Sequence, residues 1–174
     1  MKFKLTTLLC IIAFSVSAQQ YMTRQGSLAF DAGSPLEDIY AVSKSATVVY
    51  DAADNKLGVQ VLMTSFEFKR ALMQEHFNEN YVESEVYPKA VFKGVYKDGR
   101  AIGALSIHGV TKDVNVPAKL EVSEKSVLLN AQFSVKIEEF GVAIPKAVAN
   151  KINQINQINQ ITKPLCEMCK AAFV

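Results

Sequence analysis

The sequence holds little of what enzymes and metal proteins are usually built from. Of 174 residues, 2 are histidine, 3 are cysteine and none is tryptophan. His76 and His108 fall in different segments, and neither has a Cys or His at metal-ligand spacing. Glu75-His76 begins like a zinc-protease motif, but Asn80 stands where the second histidine would be. His76 reads as a residue of a helix, and His108 as a ring bonded to turn backbone before Gly109. A glycine-rich phosphate loop and the serine elbow G-x-S-x-G are missing too. Glu83, Glu85, Glu138 and Glu139 supply carboxylates in pairs, whose ordinary place is a solvated surface. No catalytic residue or metal ligand is assigned, and no cofactor is expected.

Long apolar runs are also scarce. Leu5 to Phe14 is too short to span a bilayer, and no later segment reaches that length. Lys2 and Lys4 precede the run and Val16-Ser17-Ala18 follows it, which is the layout of a secretory signal peptide cleaved after Ala18. Cys10 lies inside the run rather than at its end, which excludes a lipid anchor there. Export permits disulfides, but the two remaining cysteines, Cys166 and Cys169, sit in the tail. They suit a local disulfide or free thiols, and they do not staple the fold. Charge of one sign is lacking as well. Against 17 acidic residues stand 19 basic ones, and removal of Lys2 and Lys4 leaves the mature chain neutral. That balance argues against nucleic acid and against an electrostatic membrane patch.

What the chain does have is period-two alternation. Apolar residues fall on every second position at Val114, Val116, Ala118, Leu120 and Val122, and again at Val127, Leu129, Ala131, Phe133 and Val135. Such runs are antiparallel strands with one face on a core. Further strands are expected at 27–30, 39–42, 46–50, 56–68, 90–96 and 102–108, with turns at Asp98-Gly99 and at 109–112. The period changes once: Met73, Phe77 and Tyr81 recur every four residues, the stripe of a short helix over 69–80. A second helical stretch is expected near 145–152. About eight antiparallel strands can close into a barrel whose interior holds side chains or one small ligand. The apolar stock for that interior is Phe66, Phe68, Phe77, Phe92, Leu105, Ile107, Val114, Val116, Leu129 and Phe133. Periodicity does not separate a filled barrel from a hollow one.

Three blocks then carry a resemblance. The segment FEFKRALMQEHFNENYVESEVYPKAVFKG, from Phe66 to Gly94, resembles the central signature of the YceI-like, polyisoprenoid-binding family. ALSIHGVTKDVNVPAKL, from Ala104 to Leu120, and EEFGVAIPKAVANKI, from Glu138 to Ile152, are similar to its second and third blocks. The resemblance implies a lipocalin-like antiparallel β-barrel with a helix near one end. It also implies a long apolar ligand, isoprenoid or fatty-acyl, held non-covalently inside, and a periplasmic setting. The alternatives are an enzyme acting in the same pocket, around His108, Tyr81 or Tyr87, and a secreted barrel that binds nothing. A homodimer is left open.

The expected organisation is a signal peptide over 1–18, a barrel domain over 19–161 and an atypical tail over 162–174. One element fits poorly. INQINQINQI, residues 152–161, has a period of three, which suits neither strand nor helix. A helical continuation is expected there in preference to a strand.

Overall fold

A computed structural model describes residues 20–31, 39–123, 126–142 and 156–159. The expected signal peptide, the helical stretch expected near 145–152 and the tail cysteines lie outside these residues.

The strands are β1 (Gln20–Asp31), β2 (Tyr40–Asp51), β3 (Lys56–Leu62), β4 (Glu67–Phe68), β5 (Lys89–Lys97), β6 (Arg100–Ile107), β7 (Val110–Val122), β8 (Val127–Ser134) and β9 (Asn156–Asn159). One short helix, α1 (Ala71–His76), runs into a π-helical turn, Phe77–Tyr81. The sheet order is β1-β9-β8-β7-β6-β5-β3-β2, with β1 also paired to β2, so the antiparallel sheet curls into a nearly closed barrel. The two-residue β4 adds to β2 at Ala41 and Val42.

Several boundaries differ from the pattern reading, each for a local reason. The strands expected at 39–42 and 46–50 are one strand. Ser43 pairs with Leu28 and Ala46 with Gly26, so β2 carries one more residue than β1 between those pairs. This bulge moves the buried positions from Ala41 and Ser43 to Ala46, Val48 and Tyr50. An alternation that changes phase looks like two strands. The Ser43 hydroxyl, fully buried, accepts from the Ser45 N–H at 3.3 Å and shares a hydrogen bond of 2.7 Å with Ser65. A matching bulge lies in β1, where the buried Thr23 hydroxyl accepts from the Gln25 N–H at 3.1 Å. The bulge hides β1 in the same way, and the strand starts at Gln20 rather than at 27.

The run expected over 56–68 breaks at a 3-10 turn, Met63–Ser65, whose Met63 N–H donates to the Pro88 carbonyl at 2.9 Å. The turn expected over 109–112 is tighter: only His108 and Gly109 form it, at φ 50° and 74°, and β7 begins at Val110. It repeats the Asp98-Gly99 hairpin, at φ 51° and 74°. The INQ repeat corrects the helical expectation. Asn156–Asn159 is a strand, and it pairs with β1 at Ala29 and Phe30 and with β8 at Gln132 to Ser134. Hydrogen bonding on both sides decides its conformation, whatever its period.

The interior divides into two clusters. One, near α1, is built on Leu28, Met63, Phe66, Val82, Leu105 and Phe140. The other, at the opposite end, is built on Val48, Tyr50, Leu57, Val127 and Leu129. Phe92 packs against both.

Candidate ligand cavity

Between the two clusters lies a cavity of about 210 Å³. Its walls come from the inward register of the strands. Leu57 and Val61 face it from β3, Phe92 from β5, Leu105 and Ile107 from β6, and Val116 from β7. Its lining is almost wholly apolar, so a water inside would find few of the partners that hold water in place.

The roof is α1 with the π turn. In an α-helix a stripe of period four drifts around the axis. The π turn, closed by the Val82 N–H on the Phe77 carbonyl at 3.0 Å, is wider and keeps the stripe inward. Met73, Phe77 and Tyr81 accordingly all line the cavity, while Leu72 and His76 are exposed. Phe77 is the hub of an aromatic cluster. Its ring centroid lies 5.0 Å from Phe68, 5.3 Å from Phe30 and 5.9 Å from Phe66. These rings pin the roof to the barrel wall. Asn78, in the same turn, keeps a buried side-chain oxygen without a hydrogen-bond partner.

The floor is aliphatic, made of Leu57, Ala101, Val116 and Leu129, and tyrosines belong to the cluster that these residues share. Tyr50 stacks on Tyr21 at 6.5 Å, and its hydroxyl donates to Asn55 Oδ1 at 2.7 Å. Burial raises the Tyr50 pKa above the ordinary 10.0, and Tyr96, Asp51 and Tyr21 add to it.

Beside the roof a polar latch closes the loop back to β5. His108 does not bond turn backbone. Its Nε2 lies 2.8 Å from Glu83 Oε2, and its ring lies 4.2 Å from the Tyr87 ring. Both His108 and Glu83 hold left-handed backbone, at φ 50° and 44°, which side-chain packing must maintain. Lys112 Nζ reaches Glu139 at 3.1 Å, tying the 3-10 turn Ile137–Phe140 to β7.

Of the residues put forward from the sequence, Phe66, Phe68, Phe77, Phe92, Leu105, Ile107, Val116, Leu129 and Phe133 lie on the cavity wall. Val114 packs against the upper cluster without lining the cavity. Tyr81 lines it, whereas Tyr87 and His108 belong to the latch. Phe30, Met63, Val82 and Val142 line it as well. Val82 sits in a loop, where alternation gives no signal. Among the described residues no three His, Cys, Asp or Glu side chains gather as a metal site, and no helix is long and apolar enough to cross a membrane.

These features define a class: a small lipocalin-like barrel with a helical roof and an apolar interior space. The chain belongs to the YceI-like family, whose domain profile matches residues 17–159. No curated protein matches it closely. Among solved structures it is similar to Burkholderia cenocepacia BcnA, at 17% identity and a TM-score of 0.60, covering 75% of this chain and 90% of that one. It is similar to a polyisoprenoid binding domain from Saccharophagus degradans, at 8% identity and a TM-score of 0.59, covering 72% and 82%. The Campylobacter jejuni YceI protein matches at 18% identity and a TM-score of 0.56, covering 92% and 96%. At these identities the likeness establishes the fold.

Proposed function

We propose that this chain is an exported, periplasmic binding protein that carries a long apolar chain, isoprenoid or fatty-acyl, inside its barrel. The observation that carries the reading is the cavity itself. A space of about 210 Å³ with an almost wholly apolar lining holds water poorly. A hydrocarbon guest fills it and asks for no polar partner. Each buried methylene contributes about 0.8 kcal/mol. Ten of them contribute about 8 kcal/mol, which barely offsets the ordering cost of binding. The barrel therefore selects long chains over short ones. Support comes from the Saccharophagus domain of the same fold, described as polyisoprenoid binding, and from the signal-like N-terminus. The catalytic alternative has little to work with, since His108 and Glu83 beside the roof are paired with each other and the lining is almost wholly apolar. Solvent extraction of protein purified from the periplasm, followed by mass spectrometry, tests the reading. A long-chain lipid in stoichiometric amount is expected. A lipid-free extract from folded protein would overturn it.

A further inference from the structure

A neutral chain can still segregate its charge. β3, β5 and β6 are neighbours in the sheet, and none of the three contains an aspartate or glutamate at any position. On the outer face of β5, Lys89, Lys93 and Lys97 recur at every fourth residue, in a line of about 27 Å. Arg100 pairs with Lys97 across the β5–β6 hairpin and adds a fourth cation. Its guanidinium donates to the side-chain and backbone oxygens of Asn115, both neutral, and it forms no ion pair among the described residues. Lys89, Lys93 and Lys97 form no ion pair among the described residues. Lys56, at the margin, is neutralised by Asp54. Other carboxylates lie at the edges of this face: Asp51 on β2, opposite Lys56, Asp98 in the hairpin turn and Asp113 on β7, opposite Ala104.

Between the cations the same face shows apolar side chains. Val95 pairs with Ile102 across the strands, and Leu62 pairs with Lys89. Val95 is 38% exposed and Leu62 45%. A face kept only for solubility would intersperse both signs. Cations in a row with exposed valine and leucine, and no carboxylate, complement a surface that is negative and apolar beneath its charges. That is a bilayer containing anionic lipid. Lysine stems lie along the apolar ground while their ammonium groups reach headgroups.

We propose that the outer face of β3, β5 and β6 is a docking surface for an anionic lipid bilayer. Its purpose rests on the lipid-carrier reading, because cargo of this kind moves between the barrel and a membrane. The binding itself is measured without reference to cargo. Lys89 directly follows Pro88, whose carbonyl holds the 3-10 turn beside the roof, so the docked face runs up to the end that α1 covers.

The test is co-sedimentation of the full mature protein with phosphatidylcholine vesicles, with and without phosphatidylglycerol. Binding is expected only with phosphatidylglycerol, and it should fade as ionic strength rises from about 0.05 to about 0.5 M. The double variant Lys93→Glu and Lys97→Glu should bind at least about tenfold less. Lys93→Arg with Lys97→Arg should bind as the parent does, and circular dichroism should show both variants folded. Equal binding to neutral vesicles, an unaffected charge-reversed variant, or tighter binding to duplex DNA than to anionic vesicles would overturn the proposal. Lipid extraction is read separately, so a protein that carries lipid but ignores vesicles overturns the docking face alone.

Discussion

At the scale of single residues, the tightest constraint is a pair of glycines. Gly94 and Gly103 face each other across β5 and β6. A Cβ on Gly103 would lie 2.4 Å from the Gly94 Cα, and the obstruction is backbone, which cannot rotate away. We expect Gly103→Ala to cost about 1–3 kcal/mol, as overpacking does. Gly58→Ala, where nothing lies within 4 Å, should be neutral or stabilising by up to about 1 kcal/mol. Urea unfolding midpoints of the two variants check the contrast. Tyr50 gives the residue-scale pH prediction. The folded chain keeps a phenol proton that the unfolded chain releases near pH 10.0. Stability is therefore unaffected below that value and falls as pH rises through the higher folded one. Tyr50→Phe should flatten this alkaline decline, which urea melts across that range would show. Neither feature was visible as a pattern. The two glycines lie nine residues apart, and only the register puts one against the other.

At the scale of elements, the roof decides most. Its stripe of Met73, Phe77 and Tyr81 was legible because a period of four interrupts a period of two. The helix starts at Ala71 rather than 69 and ends in a π turn, which no propensity announces. Phe77 joins the roof to three other rings, so Phe77→Ala should cost about 3–5 kcal/mol. It should also loosen the roof, seen as faster amide exchange over 71–82. The latch acts at the same scale. Glu83→Gln breaks a half-exposed contact and should cost no more than about 1 kcal/mol. The bulged strands show the opposite case. Their hydrogen bonding is continuous, yet each alternation changes phase at a bulge, so β2 read as two pieces and β1 as a fragment. The last strand was missed for a related reason. Asn156–Asn159 takes its conformation from β1 and β8, and its own sequence has no strand period.

At the scale of the whole molecule, alternation in β7 and β8 and hairpin spacing in β5 to β7 were enough for an antiparallel barrel. The family resemblance supplied closure and the expectation of a ligand. What the sequence could not show is how far the interior is filled by its own side chains, because inward phenylalanines look alike in a packed core and around a cavity. The structure leaves space between a phenylalanine roof and an aliphatic floor, and the account turns on what occupies it. A side chain grown into that space should expel the occupant without breaking the wall. Ala131 lines the cavity, and Ala131→Phe is the variant of choice. The most direct measurement is native mass spectrometry of the purified protein beside Ala131→Phe. The account predicts that the parent carries the mass of one long-chain lipid, lost on solvent extraction, and that most of it is absent from the folded variant. A parent whose mass equals that of its polypeptide alone would contradict it.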